Sequence, residues 1–471
     1  MTQTNERGLK HITRRGFLGG ALAAAGAVAW ARPCGQTEGS ATALPPTPSP
    51  ALSASSALAP SQSPARTRIR EYRTLGRTGY KISDVSFGGG LLTNANVLTA
   101  ALDAGMNYID TAEHYVNGNS ERAIGQALQG RDRKSVFLTT KLNLTFMKSG
   151  DKEVLRTRFA KCLERLKTDY ADCLMIHMCT LAQVKYEPYH ELIKELKAEG
   201  KVRFSGLSNH GADYSLNGPL TDSCEDVVIA AAEDGRFDVV LCTYNFLKGA
   251  PSEKMFDACK ANNIGVTLMK MNPALTTAEE RQMIAQRKER YAKTKQEIPE
   301  AQQKLFKLTE DRDAAIEEFL RKHGLAGPEQ VRAAAIKYCL SRPEVHAVCP
   351  SINSFEDLDA YLALSGGRFE AREAAMLADC RDVYGDQTCR IGCGECEPAC
   401  PHGVPVATVM RYKYYFRTLR QEKMAMAEYA ALGDHGAAAC AVCDAPCEKA
   451  CPHGLPVGGL MALAHETLTL G

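Results

Sequence analysis

From about residue 72 the chain alternates two hydrophobic patterns. Short apolar and β-branched runs read as buried strands: "DVSFG" (84–88), "NYIDT" (107–111), "SVFLTTK" (135–141), "DCLMIH" (172–177), "FSGLS" (204–208), "DVVLC" (238–242), "GVTLM" (265–269) and "VHAVCP" (345–350). Between them, stretches such as "DKEVLRTRFAKCLERL" and "YHELIKELKAEGK" return an apolar residue at i, i+3, i+4 and i+7, the period of an amphipathic helix. Eight strands alternating with helices predict an α/β fold, a parallel (β/α)8 TIM barrel over residues 71–380. A doubly wound sheet is the competing arrangement, but no Gly-x-Gly-x-x-Gly follows the first strand to support it.

The pattern breaks in two other places. Residues 276–327 mix charges with sparse Ile, Tyr and Leu and are divided by Pro299, which predicts two helices in a solvated insertion packed on the barrel. At the start, Thr13-Arg14-Arg15-Gly16-Phe17-Leu18 resembles a twin-arginine export signal and leads into an Ala/Gly-rich apolar run ending near Trp30. That run is too short to cross a bilayer, which needs about 20 residues, so no transmembrane segment is expected there. Ala29-Trp30-Ala31 offers a small-x-small cleavage site, so residues 1–31 read as a signal peptide. Residues 32–70 form a Pro/Ser/Ala tract without period and read as a disordered linker. The resemblance implies export of a folded protein, to the periplasm, with its cofactor loaded beforehand.

Composition adds bounds. The 471 residues leave room for a barrel and a smaller domain, and a net charge of +2 gives no electrostatic case for nucleic acid. Of 18 cysteines, eight fall in two boxes near the C-terminus and Cys34 precedes the folded part. The other nine (Cys162, Cys173, Cys179, Cys224, Cys242, Cys259, Cys339, Cys349, Cys380) are scattered singly and read as reduced core residues.

A barrel carries its chemistry at the C-terminal ends of its strands. The second strand ends in Asp110, with Tyr115 five residues on; the third ends in Lys141, the fourth in His177, and the fifth in Ser208-Asn209. Singly, each has a bland reading, because a Lys past a strand is usually solvated and a lone His usually structural. Together, "ALDAGMNYIDTAEHYVNGNSERAIGQAL", "VFLTTKL", "DCLMIHM" and "GKVRFSGLSNH" resemble the aldo-keto reductases in order and spacing, across roughly 72–365.

The resemblance implies a catalytic tetrad of Asp110, Tyr115, Lys141 and His177 and hydride transfer between NAD(P)H and a small-molecule carbonyl or alcohol substrate. Tyr115 is the candidate proton donor, with Lys141 expected to lower its pKa from about 10. Asp110 would fix Lys141, and His177 would aim the carbonyl. The family's cofactor would meet Ser208 and Asn209 at its carboxamide, Met269 at the nicotinamide, Lys270 at the pyrophosphate, and Pro350, Ser351 and Asn353 at a phosphate turn. Two departures stand out: Leu241 replaces a common carboxamide-binding Gln, and residues 349–358 hold no Arg or Lys for a 2′-phosphate. NAD versus NADP is left open.

The tail, 381–471, carries Cys389-x3-Cys393-x2-Cys396-x3-Cys400-Pro401 and Cys440-x2-Cys443-x3-Cys447-x3-Cys451-Pro452. Both boxes resemble the C-x2-C-x2-C-x3-C-P run of bacterial [4Fe–4S] ferredoxins, each with one extra residue in one gap. Structural zinc is the competing reading of four thiolates. The ferredoxin resemblance implies a small helical domain with two [4Fe–4S] clusters, the fourth cysteine of each box crossing over. One cluster would take Cys389, Cys393, Cys396 and Cys451, and the other Cys440, Cys443, Cys447 and Cys400. Such a tail implies a redox partner protein or carrier. The expected protein is an exported reductase with an electron-relay tail; the alternative is an iron–sulfur electron-transfer or binding protein whose barrel does not reduce carbonyls.

Overall fold

The computed structural model describes residues 67–144, 151–215, 218–249, 251–273 and 275–469, within one compact unit spanning 64–471. The export signal and most of the expected linker lie outside the described residues. Of that linker's end, Arg70 is tied down, donating to the Ser365 carbonyl at 2.6 Å.

Eight parallel strands follow in chain order: β1 Phe87–Gly88, β2 Tyr108–Asp110, β3 Phe137–Asn143, β4 Ala171–His177, β5 Val202–Asn209, β6 Val239–Thr243, β7 Gly265–Met269 and β8 Ala347–Val348. Each pairs with its sequence neighbour, and bridges Val85–Val348 and Gly88–Ser351 join the first to the last. Every predicted strand is present, with ends shifted by a few residues. The interior holds Tyr108, Phe137, Cys173, Met175, Val239 and Leu241, and an N-terminal hairpin (Tyr72–Thr74, Lys81–Ser83) delivers fully buried Leu75 among them. A larger apolar layer lies between strands and surrounding helices. All nine scattered cysteines are buried and unpaired, as expected of core residues.

The insertion forms two helices, Ala278–Thr294 and Glu300–His323, with Pro299 at the second N-cap. Its packing differs from expectation. Ile284, Ala301, Leu305 and Phe306 share an apolar core with Val406, Val409, Leu460 and Met461 of the tail. Much of its apolar face is therefore spent on the tail, and a buried ion pair Lys413–Glu280 (2.7 Å) and a half-buried one, Arg287–Glu466 (3.1 Å), reinforce the contact. Gly459 explains how close the helices come: a Cβ there would lie 2.6 Å from the Leu305 Cβ. The expected boundary at 380 runs through a helix, Ala371–Tyr384, whose Leu377 and Tyr384 pack with Ile316 and Phe319 of the insertion.

The tail's longer elements are helical: Val406–Arg417, Glu422–Ala430 and Val457–Leu468. The two cysteine boxes are built alike. Glu397 accepts from the Ala407 amide at 2.8 Å, and Glu448 accepts from the Gly458 amide at 3.1 Å, so each box caps the helix that follows it.

Candidate active site

Strand ends bring the four candidate residues together. Lys141 Nζ, on β3, donates to Asp110 Oδ1 at 2.5 Å, to the Thr111 carbonyl at 2.8 Å and to the Tyr115 hydroxyl at 3.3 Å. The Tyr115 hydroxyl lies 3.4 Å from Nε2 of His177 at the end of β4. Backbone strain accompanies this placement. Val116 and Asn117 after Tyr115, Met178 after His177, and Lys270 after Met269 all take positive φ, at 49°, 54°, 55° and 59°. A β-branched or long side chain pays for that conformation, and such residues persist where the surroundings fix a functional geometry.

The electrostatics follow from burial. Desolvation raises Asp110 and opposes the neighbouring Lys141 charge. Lys141 stays charged, raised by Asp110 and Tyr115 against desolvation. His177 is pushed well down by burial and then by His114, so it stands as neutral imidazole. Tyr115 corrects the expectation: burial pushes its phenol up to about 12, and the Lys141 charge only moderates the rise. The pair in isolation predicts a lowered value; the enclosing wall reverses the direction. The phenol is held as a neutral donor.

Asp110, Tyr115 and His177 line a cavity of about 740 Å3 at the barrel mouth, within the range of small-molecule sites; Lys141 is fully buried beside them. Among the expected cofactor residues, Ser208, Met269, Lys270, Pro350 and Ser351 line it, as does Leu241. Asn209 and Asn353 do not. The Asn209 carboxamide is spent on backbone, donating to the Cys179 carbonyl and accepting from the Gly211 amide, each at 2.6 Å. Asn353 has its Oδ1 buried without a hydrogen-bond partner. The donor set thus fits a nicotinamide cofactor in part, through the serine, the methionine and the β8 turn.

Sequence reasoning missed one part of the lining. Arg411, Tyr412, Tyr414 and Tyr415 of the helix Val406–Arg417 line the same cavity. Arg411 forms a buried ion pair with Asp213, just beyond β5, and Thr408 donates to the same carboxylate at 3.1 Å. The Lys270 ammonium donates to the Tyr415 hydroxyl at 2.8 Å. The density of tyrosines in "RYKYYF" was the available signal. His114 and His210 were also missed; His114 stacks on His177 with ring centroids 4.7 Å apart.

A second, smaller cavity lies in the tail. Cys389, Cys393, Cys396 and Cys451 line it together with Met410 and His453. The Cys389 thiol is raised by burial and then by Cys396, Cys393 and Cys451. The other four gather likewise: Cys440 is pushed up to about 12 by burial, then by Cys400, Cys447 and Cys443. Each group therefore takes three cysteines from one box and the last from the other. Amides of Val404 and Ala445 point at the sulfurs of Cys400 and Cys443, both at 3.4 Å. Among the described residues, no three His, Cys, Asp or Glu side chains converge as one metal ion requires.

The cysteine loop is bolted to the barrel. The Ala212 amide donates to the Gly392 carbonyl at 2.8 Å, and a Cβ on Gly392 would lie 1.8 Å from the His210 carbonyl oxygen.

A model of the aldo/keto reductase family matches residues 93–382. The chain belongs to that family. The NADH-specific methylglyoxal reductase of Escherichia coli strain K12 is 30% identical over 219 residues, 41% of this chain and 62% of that protein. The aldo-keto reductase YhdN of Bacillus subtilis strain 168 is 31% identical over 156 residues, 30% of this chain and 47% of that protein. The chain thus spans less than two thirds of the length of these curated relatives. Among solved structures, a holo aldo-keto reductase from Bacillus halodurans superposes with a TM-score of 0.46 at 20% identity, covering 65% of this chain and 95% of its own. The family match ends at 382, before the first cysteine box.

Proposed function

We propose that this protein is an exported, NAD(P)-dependent oxidoreductase that interconverts a small-molecule carbonyl and its alcohol, with two [4Fe–4S] clusters in its tail. The observation that carries the reductase reading is the contact chain from Asp110 through Lys141 to Tyr115 and His177. When bound, the nicotinamide supplies or accepts hydride at the carbonyl carbon. The chain's own residues supply the rest. Tyr115, protonated at neutral pH, gives its proton to the carbonyl oxygen. Lys141, fixed by Asp110, stabilises the phenolate left behind until a proton from solvent restores the hydroxyl. His177, neutral, aims the oxygen. Ser208 and Met269 line the place where the nicotinamide ring would rest, and the tail helix excludes water.

Cys389, Cys393, Cys396 and Cys451 would hold one cluster, and Cys440, Cys443, Cys447 and Cys400 the other. Clusters so held would exchange single electrons with a redox partner. The twin-arginine motif at Arg14-Arg15 supports export with clusters already inserted. The test is one anaerobic preparation of the full chain. It should contain about eight irons per chain, and it should oxidise NADH or NADPH in the presence of an aldehyde such as methylglyoxal. Zinc in place of iron would overturn the cluster assignment, and absent turnover the reductase reading. An Arg14→Lys/Arg15→Lys chain retained in the cytoplasm would support the export route; unchanged export would reject it.

A second reading, a binding or electron-transfer protein with a silent barrel, is favoured by one observation. Leu241, the spent Asn209 carboxamide and the occupied Lys270 leave fewer groups free for a dinucleotide.

A further inference from the structure

Three cations line the cavity: Lys270, Arg411 and Lys423. Arg411 is neutralised by Asp213 and Lys423 is exposed, which leaves the half-buried Lys270. Lys270 pairs with no carboxylate among the described residues; it has the Tyr415 hydroxyl at 2.8 Å and sits 4.5 Å from the centroid of the same ring. Its left-handed backbone aims it, with φ 59°. Tyr415 is in turn placed by a helix that cannot drift. Arg411 and Thr408 of that helix hold Asp213, and Lys413 pairs with Glu280 of the insertion. A tyrosine hydroxyl therefore occupies a cation that no carboxylate among the described residues claims.

We propose that Tyr415 is a competitor built into the cofactor site: its hydroxyl holds the Lys270 ammonium until the phosphate of a nicotinamide dinucleotide displaces it. The C-terminal tail thereby sets the barrel's cofactor affinity. The inference rests on the nicotinamide reading of the barrel. The exchange is favourable at the ammonium, because a hydrogen bond to a charged phosphate oxygen is roughly twice as strong as one to a neutral hydroxyl. It is opposed by the anchored helix, since only the Tyr415 side chain can give way. The dinucleotide consequently binds more weakly than it would to the barrel with its cation free.

The test is equilibrium titration of the full-length protein with NADH and with NADPH, followed by nucleotide fluorescence. Tyr415→Phe keeps the ring but removes the acceptor, and should bind about threefold to tenfold more tightly than wild type. Tyr415→Glu offers Lys270 a carboxylate, and should bind at least about tenfold more weakly. In a Lys270→Met background the difference between Tyr and Phe at 415 should vanish. Weaker or unchanged binding in Tyr415→Phe, or a Tyr-to-Phe difference that survives in Lys270→Met, would overturn the proposal. If no variant binds either nucleotide, Tyr415→Phe included, the reductase reading itself fails and the competition falls with it. That result is separable from binding that is present but indifferent to residue 415.

Discussion

Lys141 Nζ lies 2.5 Å from Asp110 Oδ1, with side-chain exposures of 0% and 5%. Two opposite charges are thus shut in the barrel mouth, each compensating the desolvation of the other. Removing one partner strands the other. Lys141→Met should therefore destabilise the protein by about 3–5 kcal/mol as well as stop carbonyl reduction. Lys141→Met with Asp110→Leu should recover most of the stability and none of the turnover. Denaturant unfolding beside an aldehyde-reduction assay reads both. A double variant as unstable as the single one would show that the pair does not account for the loss.

The Tyr115 phenol, pushed up to about 12 by burial, stays protonated across the neutral range. Carbonyl reduction should show no alkaline decline assignable to this group below about pH 11. Tyr115→Phe should abolish reduction, while NADH affinity changes little, because the hydroxyl meets the substrate. A decline centred near pH 8 that disappears in a variant elsewhere would move the proton donor away from Tyr115.

The barrel was legible because its signals are local. Each strand is a short apolar run followed by a polar residue, so β2, β3 and β4 pointed to Asp110, Lys141 and His177 before any packing was known. What stayed hidden depends on approaches between segments far apart in sequence. Nothing in "RYKYYF" states that Tyr415 meets Lys270, 145 positions away. The insertion's amphipathic pattern shows that it has an apolar face, but not that Leu305 seeks Gly459 in preference to the barrel. The Tyr115 pKa failed for the same reason: the Lys141 charge is readable from the motif, whereas desolvation comes from the assembled wall.

His210 supplies a pH test. Burial, then the Arg411 charge, pushes its imidazole down to about 3 from the ordinary 6.5, against the raising influence of Asp213. A depressed folded pKa means that this stability contribution is present above about 6.5 and is lost as pH falls from there toward 3. At pH 5 the loss amounts to roughly 2 kcal/mol. His210→Gln should therefore lose less stability between pH 7.5 and pH 5 than wild type does. Equal losses in urea unfolding at the two pH values would place the acid sensitivity elsewhere.

The seam between barrel and tail can be tested with two glycines. Gly392 and Gly454 both sit near cysteines in left-handed conformation, with φ of 74° and 64°. Nothing lies within 4 Å of a Cβ built on Gly454, whereas one on Gly392 would stand 1.8 Å from the His210 carbonyl oxygen. Gly454→Ala therefore carries only the backbone cost, about 1 kcal/mol. Gly392→Ala carries that cost and must also lift the loop from the end of β5, breaking the 2.8 Å hydrogen bond from Ala212. Its destabilisation should exceed that of Gly454→Ala by about 2 kcal/mol or more. On the proposed cluster assignment, because the displaced loop carries Cys389 and Cys393, iron content should fall toward half of the wild-type value in Gly392→Ala and stay near wild type in Gly454→Ala. Thermal unfolding with iron analysis on the same anaerobic samples checks both. Equal melting temperatures for the two variants would mean that the loop yields freely and that the contact with β5 does not hold the tail in place.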